Sequence, residues 1–120
     1  MYRHGRHAHH LRGGRIERFQ VAAILLLLRE RAAHGYDLLD RLPDVVGEER
    51  VDVGNLYRVL RTLEEQGLVS SEWDEGLPGP AKRTYELTAD GADALDRWAA
   101  ALTGTRDRIN RFLTRYEERR

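Results

Sequence analysis

The sequence predicts a mainly α-helical domain with one small β-hairpin, an α+β class in which helices dominate. Over most of the chain, aliphatic residues recur three or four positions apart, which is the spacing of one helix face. The exception is 68–88, where two short β-favouring runs flank the turn sequence "GLPGPA". At 120 residues without an internal repeat, the chain is expected to form one domain with an appended element.

Composition excludes several classes of site. The chain has no cysteine, so it forms no disulfide, thiolate metal site or cysteine nucleophile. Its longest apolar run, residues 21–28, is far shorter than the roughly 20 residues of a membrane span. The N-terminus lacks the apolar segment of a secretory signal. We therefore expect a cytoplasmic protein without membrane contact.

Charge is balanced overall but distributed unevenly. The 20 basic and 20 acidic side chains give a net charge of zero. Residues 1–20 nevertheless carry five arginines against one glutamate, so the remainder of the chain is acidic. A basic end is compatible with a local electrostatic footprint on DNA, although it does not require one.

The first half of the chain predicts an arm followed by two helices. Residues 1–15 mix histidine, arginine and glycine without periodicity, which indicates a mobile arm. Residues 16–31 form an apolar helix buried on more than one side. Gly35 breaks that helix, a short leucine-rich helix follows, and Pro43 is predicted to end it. Residues 44–50 are predicted to be a charged loop.

A third helix is predicted within "VDVGNLYRVLRTLEEQGLV", residues 51–69. Asp52 can accept a hydrogen bond from an exposed amide of the first turn, and Gly67 fits a left-handed stop. One stripe is aliphatic and is predicted to be buried: Leu56, Val59, Leu60 and Leu63. The opposite side carries Gly54, Arg58, Arg61 and Glu65, with Tyr57 on its flank.

After the hairpin, a long helix is predicted from an N-cap at Thr88 nearly to the end of the chain. Two series of residues repeat every seven positions: Leu95, Leu102, Ile109 and Tyr116, and Trp98, Thr105 and Phe112. Together they form a heptad seam of about three heptads, which predicts a dimerisation helix. Gly104 lies within the seam and suggests close helix approach, a bend or a pocket.

This order of elements is that of a winged helix-turn-helix followed by a dimerisation helix. The predicted division is an arm over 1–15, a winged-helix domain over 16–87 and the dimerisation helix over 88–120.

Several motifs resemble, in order and spacing, the PadR family of bacterial transcriptional regulators. They are "ILLLLRE", "HGYDLLDRL", "GNLYRVLRTLEEQGLV" and "KRTYELTADGADAL", and they span roughly residues 20–98. The resemblance implies a homodimeric repressor of the shorter subfamily, with one C-terminal helix. It also implies that the third helix enters the DNA major groove while the wing touches phosphates or the minor groove.

Carried over by position, the HGY motif of the family falls on residues 34–36, at the start of the second helix, and the opening of the recognition helix falls on residues 53–57. The chain departs from the family pattern at two positions. Asn55 stands where serine or threonine is commoner, and Arg58 replaces a proline or small residue. Both residues keep polar reach, so DNA binding is still expected, with a base preference that differs from that of the family.

The DNA-binding candidates on the third helix each have a second interpretation. Arg58 and Arg61 can contact guanine or phosphate, or Arg61 can pair with a glutamate three or four positions on. Gly54 suits close backbone approach, and Asn55 can read adenine. Tyr57 can donate to a phosphate or pack against the second helix.

On the wing, Lys82 and Arg83 are candidates for phosphate contacts, although they also suit a solvated hairpin edge. Tyr85 and Leu87 are predicted to be core residues. In the heptad seam, Leu95, Trp98, Leu102, Ile109 and Phe112 are candidates for the dimer interface. Trp98 is an interface anchor by its pattern, and the family resemblance adds a site for a flat aromatic effector between the two subunits.

Four histidines in the arm, His4, His7, His9 and His10, suggest a metal or haem site. No ordered scaffold or acidic partner accompanies them, so an arm that follows the DNA backbone or minor groove is the preferred interpretation. His34 is predicted to be structural, hydrogen-bonded at a helix start.

The resulting hypothesis is a homodimeric repressor that binds double-stranded DNA at a pseudo-palindromic operator. A metal- or haem-responsive regulator and a winged-helix protein-interaction module without DNA binding are the alternatives. No cofactor is expected. The sequence shows no nucleophile–base constellation and no cofactor fingerprint, so an enzyme is not expected.

Overall fold

A computed structural model describes residues 19–47, 52–74, 79 and 82–119. Four helices are seen: α1 over 19–30, α2 over Gly35–Val46, α3 over Val53–Glu65 and α4 over Ala89–Glu118. Three short strands accompany them: β1 over Ala33–His34, β2 over Val69–Asp74 and β3 over Lys82–Leu87. The predicted class, mainly helical with one small hairpin, is confirmed.

The strands form one antiparallel sheet in the order β1-β3-β2. β2 and β3 form the predicted hairpin, which is the wing of the fold. They pair from Val69 opposite Leu87 to Asp74 opposite Lys82. β1 pairs with the other edge of β3 and places Ala33 opposite Tyr85. The sequence pattern does not predict β1, because two residues cannot show an alternation. β1 nevertheless connects the start of α2 to the hairpin.

The end of α2 differs from the prediction. Pro43 lies inside α2, which continues to Val46 and ends at Gly47 with a φ of 75°. A proline removes one backbone donor. That loss is offset because Leu42 is fully buried and Val45 and Val46 pack against the core. The N–H of Gly47 donates to the carbonyl of Pro43 at 2.9 Å and closes the last turn. The predicted loop therefore begins three residues late.

Both ends of α3 follow the prediction. The carboxylate of Asp52 accepts from the N–H of Asn55 at 2.9 Å and caps the N-terminus. Gly67 has a φ of 78°, and the N–H of Leu68 donates back to the carbonyl of Leu63 at 2.9 Å. These two local signals fix where the helix begins and ends.

The core joins all four helices to the sheet. α1 is buried on most of its sides, as predicted, with Ile24 and Leu25 fully inaccessible. The predicted stripe of α3 is buried at three positions and partly buried at Val59. The other large side chains that are fully inaccessible to solvent are Leu38, Leu42, Leu56, Leu60 and Val69.

Thr88 joins the end of α3 to the start of α4. Its hydroxyl accepts from the N–H of Gly91 at 3.0 Å, which confirms the predicted cap, and donates to the carbonyl of Gly67 at 2.7 Å. Its own N–H donates to the carbonyl of Leu68 at 3.2 Å. A side chain on Gly91 would collide with that carbonyl oxygen of Leu68. The start of α4 is thus in direct backbone contact with the segment that follows α3.

Within the described residues, no helix combines the length and apolar character needed to cross a membrane.

Candidate nucleic-acid interface

The side of α3 opposite the core is polar and open to solvent. Gly54, Arg58 and Arg61 are exposed there, as the helical spacing predicts. Within the described residues, Arg61 makes no ion pair with either of the glutamates that follow it. Among the described residues, a Cβ added to Gly54 would meet only the carboxylate of Asp52, at an ordinary 3.6 Å. Packing within the described part of the chain therefore gives no reason for a glycine at this position.

Asn55 is held by hydrogen bonds on both sides of its amide. Its Nδ2 donates to Oε1 of Gln20 in α1 at 2.9 Å. Its Oδ1 accepts from a terminal nitrogen of Arg58, one turn along α3. Gln20 is only 7% exposed, so the first of these bonds ties α3 to a buried group. Asn55 and Arg58 are thereby joined in one chain of hydrogen bonds.

Tyr57 lies on the flank of α3 against the start of α2. A Cβ added to Gly35 would lie 2.5 Å from its hydroxyl oxygen and 2.6 Å from its ring. The ring is half-buried. Burial raises the pKa of the Tyr57 hydroxyl, with smaller contributions from Tyr85 and Tyr36. Tyr57 therefore packs on the second helix, in agreement with one of its two predicted interpretations.

The basic residues of the wing lie at the start of β3. Lys82 and Arg83 are both exposed. The guanidinium carbon of Arg83 lies 4.6 Å from the centre of the Trp73 ring on β2, its neighbour in the register. This cation–π contact holds the guanidinium against an aromatic face. Trp73 itself is 55% exposed.

The turn end of the wing is tied to the start of α2 through Asp74, the last residue of β2. His34 Nε2 lies 2.6 Å from a carboxylate oxygen of Asp74, and the hydroxyl of Thr84 donates to the same carboxylate at 2.9 Å. These hydrogen bonds, first that of His34 and then that of Thr84, hold the pKa of Asp74 below its usual value. His34 is thus hydrogen-bonded immediately before a helix, as predicted.

These parts surround one open groove of about 730 Å³, here called the wing groove. The start of α2, the flank of α3 and the wing each form one wall. Four aromatic rings and three cations line it: Tyr36, Tyr57, Trp73, Tyr85, Arg61, Lys82 and Arg83. The acidic residues Asp37 and Glu64 also line it. The structure therefore brings Arg61 of α3 and the two wing cations to the same concave surface.

Three residues of this region are absent from the sequence-based candidates. Tyr36, 76% exposed, and Trp73 line the wing groove, and Gln20 orders Asn55 from inside. Trp73 does have a signal in the sequence: it is an aromatic residue near the tip of the predicted hairpin, and the second strand of that hairpin begins with two basic residues. No sequence signal connects Gln20 to Asn55, because 35 positions separate them.

The candidates of the heptad seam divide into two groups. Leu95 is buried in the core of the chain and Trp98 packs against that core. Farther along α4, the side chains are open to solvent, at 36% exposed for Leu102, 50% for Ile109 and 67% for Phe112. The rings of Phe112 and Tyr116 stack at 6.4 Å. A Cβ on Gly104 would meet only Arg108, at 3.5 Å, so nothing in the described chain packs closely there.

The histidine candidates His4, His7, His9 and His10 lie outside the described residues. Within the part of the chain that the structure describes, no group of three or more potential ligands could hold a metal ion.

Residues 24–97 match the sequence profile of the transcriptional regulator PadR-like family. The match covers more than half of the chain and contains α2, α3 and both strands of the wing. The chain belongs to the PadR family. The resemblance expected from the motifs is confirmed, and the protein is a transcriptional regulator. A comparison with curated protein sequences found no match.

Solved structures of PadR proteins share this fold. A PadR family transcriptional regulator from Eggerthella lenta is 29% identical and superposes with a TM-score of 0.73, with 92% of this chain and 95% of that chain covered. A PadR-like transcription factor from Bacteroides fragilis is 26% identical with a TM-score of 0.74, over 86% and 98%. These neighbours confirm the predicted winged-helix class.

A third neighbour is PadR of Bacillus subtilis, solved in complex with operator DNA. It is 26% identical, with a TM-score of 0.59, and the match covers 66% of this chain and 45% of that chain. PadR family members are transcriptional regulators and not enzymes, which agrees with the expectation from the sequence.

Proposed function

We propose that the protein binds operator DNA as a homodimer and represses transcription, with α3 and the wing as the DNA-contacting surface. The observation that supports this most strongly is the wing groove, where Arg61 of α3 shares one concave surface with Lys82 and Arg83. The complex of Bacillus subtilis PadR with operator DNA provides a precedent in the family.

In this proposal, the N-terminal half of α3 enters the major groove. Gly54 presents bare backbone at the end that enters first, so the helix can approach the base edges closely. The wing extends toward the adjacent minor groove. The sugar–phosphate strand between the two grooves then passes through the wing groove, where three cations neutralise phosphates and position the helix.

The predicted dimer forms through α4. Its outer half exposes Leu102, Ile109 and Phe112 along one face, which a second copy of the chain would cover. Two-fold symmetry then places two copies of α3 on half-sites about one helical turn, roughly 34 Å, apart or a multiple of it. A pseudo-palindromic operator matches that symmetry.

Repression follows if the bound dimer covers a promoter. An aromatic effector would act at Trp98, which lies half-buried where the core ends and the exposed seam begins. By changing how the two α4 helices meet, it would shift the separation of the two α3 helices. Because operators lie inside the cell, we place this activity in the cytoplasm.

Selection and sequencing of bound DNA, followed by a mobility-shift titration at several salt concentrations, test the proposal. We expect a preferred two-fold symmetric sequence. Arg61→Ala combined with Lys82→Ala should weaken binding to all sequences and lower the slope of log affinity against log salt by about 2, since each lost phosphate contact contributes about 1.

The matched control is Arg106→Ala. This arginine is also exposed but pairs with Asp107 on α4, away from the wing groove, so affinity and salt slope should not change. If the wild-type protein selects no sequence at near-physiological salt, the proposed function is wrong.

A further inference from the structure

We propose that Asn55 does not read a base itself but positions Arg58, and that Arg58 reads guanine. This inference rests on the proposed DNA binding and specifies how base preference arises at the entry of α3. It follows from one chain of hydrogen bonds, from Gln20 through Asn55 to Arg58.

This series of hydrogen bonds begins at Gln20, a buried residue. Gln20 lies in α1 at 7% exposure, and its Oε1 accepts from Nδ2 of Asn55 at 2.9 Å. Within the described residues, no buried side-chain nitrogen or oxygen lacks a partner. Rotating the Asn55 amide toward DNA would break this bond and leave the oxygen of Gln20 unpaired in the core, which opposes the rotation.

Reading adenine requires both ends of an asparagine amide, the nitrogen donating to N7 and the oxygen accepting from N6. In Asn55 both ends are already engaged, the nitrogen with Gln20 and the oxygen with Arg58. An adenine contact would therefore cost two existing hydrogen bonds. The orientation of the amide instead favours holding a cation one turn further along the helix.

Arg58 is the residue of this hydrogen-bonded series that extends outward. Its side chain is exposed on the side of α3 opposite the core stripe. A guanidinium carries five N–H donors in one plane, and the bond from one terminal nitrogen to Asn55 helps to set the direction of that plane. Two parallel donors match O6 and N7 of guanine, the commonest specific contact of arginine. Asn55 is thus a positioning residue for Arg58.

The test measures base preference at each operator position by selection and sequencing, for the wild type and for variants. Arg58→Ala should remove a guanine preference of about 5- to 150-fold at one position in each half-site. Asn55→Ala should weaken the preference at that same position and not at an adenine elsewhere. Each variant is first checked for wild-type thermal unfolding.

Asn55→Asp separates positioning from reading. The carboxylate keeps an acceptor for Arg58, and the amide of Gln20 can turn to donate to it. It cannot donate to N7 of adenine. We expect lower affinity for all sequences, because a negative charge is added near phosphates, with the guanine preference retained. Loss of an adenine preference in this variant would overturn the inference.

Gln20→Met tests the buried end, since methionine keeps the length but removes the acceptor. It should reduce the guanine preference about threefold or more, although Gln20 cannot touch DNA. The matched control, Gln66→Met at the exposed C-cap of α3, should leave every preference unchanged. If Gln20→Met fails to fold, the two variants of Asn55, which lies at the partly exposed surface, decide the matter.

The two proposals fail in different ways. A wild-type protein that selects no sequence contradicts DNA binding and this inference together. A wild-type protein that selects a sequence, with base preferences unchanged by Arg58→Ala or by Asn55→Ala, contradicts the positioning of Arg58 alone.

Discussion

The ring of Tyr57 lies directly on the backbone of Gly35. A Cβ added to this glycine would be 2.5 Å from the tyrosine hydroxyl and 2.6 Å from the ring. The first residue of α2 and the flank of α3 therefore approach each other more closely than any other residue type at position 35 allows. This contact sets how closely the start of α2 lies to the flank of α3, and both residues line the wing groove.

Gly35→Ala should destabilise the protein, because the added methyl group must displace the ring of Tyr57 that packs against the start of α2. Overpacking of this kind costs about 1–3 kcal/mol. Urea unfolding followed by circular dichroism measures the change. Gly54→Ala is the matched control in α3, where the new methyl group meets only Asp52 at 3.6 Å, and its stability should equal or exceed that of the wild type. Equal stability of both variants would contradict the contact.

Asp74→Asn should change how stability depends on pH. The pKa of Asp74 is lowered in the folded protein by hydrogen bonds from His34 and Thr84. Its contribution to stability is therefore fully present above the usual value of 3.8, and it is lost as pH falls through the lowered folded value. The difference in urea midpoint between wild type and variant should be largest near neutral pH and should vanish in acid.

Asp44→Asn is the control for this experiment, because Asp44 is an exposed carboxylate near the end of α2. Its unfolding curve should follow that of the wild type at every pH. A stability difference for Asp74→Asn that persists unchanged into acid would show that the lost contribution does not come from the charge.

Trp73 should report DNA binding through its fluorescence. It is 55% exposed on the wing and stacked against Arg83, whereas Trp98 packs against the core. If a DNA strand passes through the wing groove, Trp98→Phe should retain the fluorescence change on addition of operator DNA, and Trp73→Phe should lose most of it. The opposite pattern would place the responding tryptophan in α4 and contradict DNA contact by the wing.

Ile109→Asp should convert the protein to a monomer. Ile109 is 50% exposed on the apolar face of α4, and covering a carboxylate there with a second helix costs several kcal/mol. Sedimentation over a range of concentrations measures the change. Asn110→Asp adds the same charge at the next, exposed residue, off the heptad seam, and should remain dimeric. A dimeric Ile109→Asp would exclude this face as the interface.

The features that the sequence predicted correctly are those set by neighbouring residues. The caps at Asp52 and Thr88 and the stop at Gly67 each depend on a hydrogen bond or a φ within a few positions. The buried stripe of α3 follows from helical spacing alone. Such signals need no knowledge of what lies on the other side of the core.

The features that the sequence did not predict depend on contacts between distant positions. Pro43 is accommodated only because residues on both sides of it pack into the core. β1 exists because β3 offers a free edge. In the sequence, Asn55 and Arg58 are two separate departures from the family pattern, but the structure joins them by a hydrogen bond and connects both to Gln20, 35 positions away from Asn55.

Thr88 attaches the long helix α4 to Gly67 and Leu68, the residues that directly follow α3. The 30 residues of α4 extend about 45 Å, so a tilt of about 5° moves the far end by about 4 Å relative to the near end. Bending at this attachment is resisted by the three hydrogen bonds of Thr88, to Gly67, Leu68 and Gly91. The close approach of Gly91 to Leu68 also resists it. A displacement at the distal end of α4 would therefore act through these contacts on Gly67 and Leu68, which directly follow α3.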